Sequence, residues 1–341
     1  MPEKGEDTVS LRDHDYFETL EGWVFLVLGD VHPDGRVWSC LKYVPGDGLW
    51  GNGEKRFVRV FRRYTVPELL DLIKFVEERE PSYVYHDPTV NAKVIAPPTD
   101  RIKSIFSSRK RLAELMAKSP NDRLANILIS LVELLSEYSG VPKSYFGVTG
   151  SILLGIHHKD SDIDLVVYDV ENVWRVLEAV QELRREGKLY LLKDVDPSGW
   201  AARASAKYPL PHDSLLRLAS KVLNKGRYAG VDFSIHGVRE KPARRYGEVT
   251  YTSLGMAKAR VRVVDVSESL FTPAVYYVED GVYGVDRIAC YDMMLAGVLR
   301  EGDSVEVYGK LEAALRDGEE VWRQILVGSY EGAGREYIRI L

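Results

Sequence analysis

Gly147-Val-Thr-Gly-Ser151-Ile-Leu-Leu-Gly155-Ile-His-His-Lys-Asp160-Ser-Asp-Ile-Asp164-Leu-Val-Val-Tyr168 is the stretch from which the rest of this chain can be read. Its end, Ile163 to Tyr168, is an apolar run of strand length, and a second strand-like segment, Tyr145 to Thr149, stops at a glycine. Successive side chains of a strand alternate between faces, so Asp162 and Asp164, two apart, send both carboxylates to one side. Two hard oxygen donors side by side suit Mg²⁺ or Mn²⁺. Between the strands, Gly150-Ser151 opens a short turn or helix. Its free backbone N–H groups and hydroxyl can hold a phosphate, with no Cβ at the glycine to obstruct it.

Asp232 stands in a later strand-like segment, Gly230-Val-Asp-Phe-Ser-Ile235, and completes a carboxylate trio if that strand neighbours the first. Three carboxylates can hold two metal ions about 4 Å apart, which clamps the attacking and leaving oxygens of an in-line phosphoryl transfer. Singly, each part has a bland counterpart: a solvated Asp-x-Asp at a strand end, an ordinary Gly-Ser turn, an edge-strand charge at Asp232. Their joint order and spacing carries the inference.

Working outward, the chain divides into four parts. Residues 1–99 read as an α+β amino-terminal domain. The runs Gly22–Gly29 and Arg36–Val44 form a hairpin about His32-Pro-Asp-Gly35, a glycine-rich loop spans Pro45 to Gly53, and Arg56 to Tyr64 is another strand. Thr65-Val-Pro-Glu68 has the spacing of a capping box and opens a helix to about Arg79. Residues 100–120 read as a helical, basic connector. Residues 121–245 begin at Ser119-Pro-Asn-Asp122 with a helix ending at Gly140, continue through the two strands above and a helix from about Asn172 to Arg185, and add a helix near Ser214 to Leu223. This order predicts a mixed sheet with helices on one face. Residues 246–341 show five strand-like runs split by turn residues, which predicts a small β-barrel or sandwich, with an oligonucleotide-binding barrel as one candidate. The fold class is therefore α+β and multidomain.

The order Gly150-Ser151, Gly155, then Ser161-Asp-Ile-Asp-Leu165 and a third carboxylate at Asp232 resembles the DNA polymerase beta-like nucleotidyltransferase superfamily, over roughly residues 121 to 240. The spacing is closest to that of the minimal nucleotidyltransferases. The resemblance implies a central nucleotidyltransferase fold and transfer of a nucleoside monophosphate from a nucleoside triphosphate, ATP among them, to a hydroxyl of an RNA end, a protein or a small molecule. It further implies that Ser151 contacts the triphosphate, that Asp162 and Asp164 bind both metals, and that Asp232 holds one metal and helps deprotonate the acceptor. One departure stands out. Many relatives carry a basic residue between the serine and the later glycine, where this chain has Ile152, Leu153 and Leu154, so the phosphate charge needs another source; Lys159, His157 and His158 are the local candidates. The whole-chain layout also resembles an archaeal group of predicted nucleotidyltransferases with an amino-terminal extension containing a hairpin such as Glu18-Thr-Leu-Glu-Gly-Trp23.

The 341 residues, 45% hydrophobic and 28% charged, exceed one comfortable core and fit two or three globular units. No apolar run approaches the roughly 20 residues of a membrane span and the polar start lacks a signal-peptide core, so a cytoplasmic location is expected. Cys40 and Cys290 are too few and too separated for a disulfide framework or zinc cluster. A net charge of −5 gives no global attraction for nucleic acid, which leaves local clusters: Arg101, Lys103, Arg109, Lys110 and Arg111, then Arg239, Lys241, Arg244 and Arg245. Basic and aromatic residues also interleave from Lys55 to Tyr64, a pattern shared by stacking nucleic-acid strands and by plain half-buried ones. The alternative to an enzyme is a non-catalytic nucleic-acid or ribonucleoprotein-binding protein on the same fold. The oligomeric state is left open.

Overall fold

The computed structural model describes residues 11–51, 53, 55–118, 120–279 and 282–341; Ser119, at the expected start of the central unit, lies outside the described residues. From the amino end come strands β1 (Tyr16–Thr19), β2 (Val24–Val27), β3 (Ser39–Gly51) and β4 (Arg56–Arg59), helix α1 (Val66–Arg79), the hairpin of β5 (Val84–Asp87) and β6 (Ala92–Ile95), strand β7 (Ile102–Phe106) and helix α2 (Ser108–Lys118). The main sheet is antiparallel in the order β4-β3-β2-β1-β7. The expected β2–β3 hairpin is present. β3 runs on through most of the segment expected to be loop, because an irregularity between Pro45 and Trp50 absorbs the glycines. Helix α1 starts where Thr65 Oγ1 accepts a bond from the Glu68 N–H at 3.3 Å, and it buries Leu72, Ile73 and Val76.

The first half of the segment expected to be a helical connector is strand instead. β7 pairs with β1, Tyr16 opposite Phe106, and its burial alternates: Ile102, Ser104 and Phe106 are half-buried, while Lys103 and Ile105 face solvent. Period-two burial on an existing sheet edge outweighs the helix propensity of its basic residues.

The central part contains α3 (Arg123–Ser139), β8 (Phe146–Val148), α4 (Gly150–Leu154), β9 (Ile163–Tyr168), α5 (Val170–Arg185), β10 (Tyr190–Leu191), α6 (Leu192–Val195), α7 (Pro197–Ser205), α8 (His212–Lys221), β11 (Lys225–Tyr228) and β12 (Val231–Val238). Asp122 caps α3 by accepting from the Leu124 N–H at 2.9 Å, and Gly140, at φ +65°, ends it. The mixed sheet runs β10-β11-β12-β9-β8, with β9 and β12 parallel. Ile163, Leu165 and Val167 join the core that holds the buried faces of α3 and α5, so helices cover one face as expected. Each fully buried leucine there, Leu128 and Leu131 among them, contributes about 2 kcal/mol of burial. The alternate positions, Asp164, Val166 and Tyr168, face the other way, where Val166 and Tyr168 form a separate small cluster with Val238.

The carboxy-terminal part comprises β13 (Thr250–Asp265), β14 (Ala274–Glu279), β15 (Arg287–Cys290), β16 (Ser304–Arg316), β17 (Glu319–Val327) and β18 (Tyr337–Ile340). Five strands close into a barrel in the order β13-β14-β15-β17-β16 with β16 returning to β13, and β18 adds to the outside of β16. β15, which the sequence did not reveal, pairs in parallel with β17. Closure removes the exposed edges that an open sheet of these strands would leave. The barrel touches both other parts. The Gly237 N–H donates to Leu270 O at 2.9 Å, and the Tyr251 N–H donates to Thr89 O at 2.6 Å. Among the described residues no helix is long and apolar enough to cross a membrane.

Candidate functional site

β9 and β12 run side by side, and the register sets Asp164 opposite Ser234. Ser234 Oγ donates to Asp164 Oδ1 at 2.6 Å and lies 2.9 Å from His236 Nε2. Asp162 and Asp164 share the face turned away from the helices, as their spacing predicts, and Asp162 itself is exposed. Their proximity shows in the proton affinity of Asp162: the negative charge of Asp164, then burial, pushes its pKa from 3.8 up to about 6, with Asp232 adding to the rise and Arg59 opposing it. Mutually repelling negative charge of this kind, on hard oxygen donors, is what a divalent cation satisfies.

Gly150 is glycine for a reason the structure makes explicit. It sits at φ +66°, and a Cβ there would stand 2.5 Å from Asp164 Oδ2. The Thr149 N–H donates to Asp164 O at 2.9 Å, which ties the turn to the acid strand. Ser151 follows in the first turn of α4 and is buried. The turn and Asp164, read together in the sequence, are in contact.

Asp232 lies on the same face of β12, two residues before Ser234, but its carboxylate accepts from Arg227 Nε at 2.6 Å and its side chain is 59% exposed. Among the described residues no three His, Cys, Asp or Glu side chains are gathered as a group that could hold a metal ion. The acid pair thus has the chemistry of a divalent-cation ligand set, while the third carboxylate is engaged by a cation of the protein itself.

The local sources of positive charge are used otherwise. His157 Nε2 lies 2.5 Å from Asp122 Oδ2 and so braces the cap of α3. The His158 ring lies tilted against that of Trp50, 4.9 Å between centres; the exception is Lys159, which is exposed. The apolar Ile152, Leu153 and Leu154 are explained by their surroundings: Ile152 enters the central core, whereas Leu153, Leu154 and Ile156 pack on Tyr16, Tyr43, Phe57 and Trp50 of the amino-terminal sheet. Helix α4 is clasped between two domains, and a charged residue there would be buried.

The amino-terminal sheet consequently borders the acid pair, which sequence reasoning missed. Burial raises the Tyr16 pKa well above its usual value, with Tyr43 and then Asp164 adding to it. Burial likewise takes Tyr43 to about 12, against the opposing charge of Arg59 and with help from Asp164 and Asp162. The His14 ring lies 4.6 Å from that of His236, and His14 O accepts from Thr149 Oγ1 at 2.6 Å and Ser108 Oγ at 2.9 Å. Burial disfavours the charged form of His14, but Asp13, Asp164 and Asp15 outweigh it and raise its pKa; burial, then the His14 and Lys225 charges, hold His236 well below its usual value. The only signal for this border was the basic and aromatic alternation from Lys55 to Tyr64.

Most of the other basic clusters are structural. Arg101 pairs with Glu21, Lys103 with Glu18, Arg109 with Glu240 while stacking on Tyr168, and Arg239 with Glu268 at 2.8 Å. Two shallow clefts, about 370 Å³ beside Glu18, Pro45 and Lys55 and about 450 Å³ beside Arg123, Ser130 and Tyr228, do not include the acid pair.

No family model matches the chain, and no solved structure matches it. It is similar to an uncharacterized protein of Methanocaldococcus jannaschii, 29% identical over 343 residues, an alignment covering 97% of this chain and 99% of the relative. The alignment therefore spans nearly the full length of both chains, all three parts included.

Proposed function

We propose that this protein is a metal-dependent nucleotidyltransferase. The observation that carries the reading is the contact between the Gly150-Ser151 turn and Asp164, beside an Asp162 whose carboxyl has an unusually high proton affinity. Perturbed carboxylates at a backbone phosphate-holding turn are the parts that phosphoryl transfer needs. Asp162 and Asp164 hold Mg²⁺ or Mn²⁺, which when bound neutralises phosphate charge and orients the reacting oxygens. The backbone N–H groups at Gly150 and Ser151 cradle phosphate oxygens. Asp232 is the third carboxylate, available to the site when Arg227 releases it. The finer fold readings, a nucleotidyltransferase core and an oligonucleotide-binding barrel, go with this proposal, as do a nucleoside triphosphate substrate and an RNA, protein or small-molecule acceptor.

The test is label transfer from α-labelled triphosphates to pools of RNA and protein with Mg²⁺, comparing wild type with Asp162→Ala plus Asp164→Ala. Transfer abolished by the double substitution is expected; the absence of both transfer and triphosphate binding in the wild type sinks the proposal. One observation favours a binding protein instead: Lys258, Arg260 and Arg262 alternate along the exposed face of β13, near the Tyr308–Tyr337 ring pair at 6.0 Å. RNA binding indifferent to the acid-pair substitutions, with no transfer, selects that alternative.

A further inference from the structure

β3 carries an irregularity at Lys42. Val24 opposes Tyr43 and Phe25 opposes Leu41, so Lys42 is the extra residue of a β-bulge on that edge. Bulges re-aim side chains, and this one sends a lysine inward: Lys42 is 4% exposed and its Nζ lies 4.0 Å from the centre of the Tyr64 ring. Arg59 lies over the same ring at 5.4 Å, and Lys207, from the central part, approaches it at 6.0 Å. Lys207 pairs with Asp292, 2.8 Å away. Among the described residues neither Lys42 nor Arg59 has a carboxylate within 4.0 Å, the reach of an ion pair. Burying an ammonium without an anion is costly; burial holds the Lys42 pKa down at about 7, although Asp164 is among the charges that raise it.

A third cation with no carboxylate partner among the described residues stands on the central sheet, in the row of Asp164. Lys225 on β11 opposes Ser234, which opposes Asp164 on β9. Residues directly opposite in neighbouring strands point to the same face, so Lys225, Ser234 and Asp164 form one row across the sheet. Burial lowers the Lys225 pKa, against the opposing pull of Asp292 and then Asp164. Cations from the amino-terminal and central sheets thus both feel the charge of Asp164, beside the border where the amino-terminal sheet packs on Leu153 and Ile156.

We infer that Lys42 and Arg59 of the amino-terminal sheet, with Lys225 of the central sheet, form the receptor for the phosphate chain of the nucleoside triphosphate presented to Asp162 and Asp164. This rests on the nucleotidyl-transfer reading for its substrate. It supplies the positive charge that the Ile152-Leu153-Leu154 run lacks, and it gives the amino-terminal domain a direct place in the site. An anion at this position relieves the buried Lys42, and the tyrosine ring beneath fixes the ammonium in place.

The test uses inorganic tripolyphosphate, with no nucleoside and with EDTA present, titrated calorimetrically into the full-length protein. Wild type is expected to bind, with Lys42→Met and Lys225→Met each weakening binding about tenfold or more, as loss of a charge-assisted contact does. Asp162→Asn plus Asp164→Asn is expected to bind at least as tightly as wild type, because repulsion is removed. Lys42→Met removes an unpaired buried charge, so its melting temperature should not fall; if it fails to fold, Arg59→Ala and Lys225→Met carry the test. Failure of wild type to bind tripolyphosphate, or equal affinity in the lysine variants, overturns the receptor. The two ideas separate cleanly. Lysine-dependent binding without nucleotidyl transfer leaves the receptor standing and removes the transferase, whereas transfer with affinities unmoved by the lysines does the reverse.

Discussion

Replacing Asp162 with asparagine tests the electrostatics of the acid pair without any substrate. In the folded chain its carboxyl is raised from 3.8 to about 6, chiefly by the charge of Asp164 and next by burial. A raised folded value means that the native state binds the proton more tightly than the unfolded one. The resulting stabilisation is complete below about pH 3.8 and is lost as pH climbs through about 6. Taken at face value the shift corresponds to about 3 kcal/mol. Neighbouring groups crowd the Asp162 carboxyl, yet its surface is open to water, so screening reduces the expected effect to about 1 kcal/mol, or about 2 °C in melting temperature for a chain of this size. Asp162→Asn lacks the ionisation. In metal-free buffer it should match wild type near pH 4, gain steadily as pH rises, and melt about 2 °C higher above pH 7. Magnesium should then stabilise wild type more than the variant at pH 8. Scanning calorimetry from pH 4 to 8, with EDTA and then with Mg²⁺, measures both. A variant less stable than wild type at pH 8 in EDTA, or a difference that ignores pH, would falsify the account of a mutually repelling pair.

Three further outcomes follow from individual contacts. Gly150→Ala forces a Cβ to 2.5 Å from Asp164 Oδ2 at a backbone angle that disfavours side chains, so a loss of about 2 kcal/mol in chemical denaturation is expected, together with loss of label transfer. Asp232→Ala removes only an exposed partner of Arg227 and should change stability by about 0.5 kcal/mol or less while abolishing transfer; a larger stability loss, with transfer intact, makes it a structural residue. Gly237→Ala brings a methyl to 2.8 Å from the Phe271 ring, where the barrel meets the central sheet, and should cost about 1–3 kcal/mol, read from the urea midpoint.

The stretch from Gly147 to Tyr168 was legible because strand alternation and glycine geometry are local rules. They set Asp162 and Asp164 on one face, the Thr65–Glu68 capping box announced α1, and the helical spacing of the apolar residues after Asp122 announced α3. Other features depend on partners distant in the chain. β15 is four residues, Arg-Ile-Ala-Cys, with three of them buried and no alternation to reveal it; it is a strand because β14 and β17 flank it. The interleaved rings and cations from Lys55 to Tyr64 form a strand only over Arg56–Arg59, shorter than the expected run to Tyr64; Phe57 in it and Phe61 beyond it are buried. What the pattern concealed is that Arg59 acts on the charge of Asp162, about a hundred positions away. Asp232 was placed on its strand by the apolar run around it, but its ion pair with Arg227 comes from their facing each other across β11 and β12, and β11 was not legible as a strand.

The pairing of β1 with β7 has a consequence for how this chain can be divided and made. Tyr16 finds its partner only when Phe106 exists, so the amino-terminal sheet cannot be completed until the polypeptide has passed the point where composition suggests a boundary. A fragment ending at residue 99 would leave β1 as a bare edge, with open N–H and C=O groups ready to pair with a second molecule. One ending after Lys118 would bring its own edge strand and α2 along. On the ribosome the same sheet must wait for those five residues before its first strand is shielded.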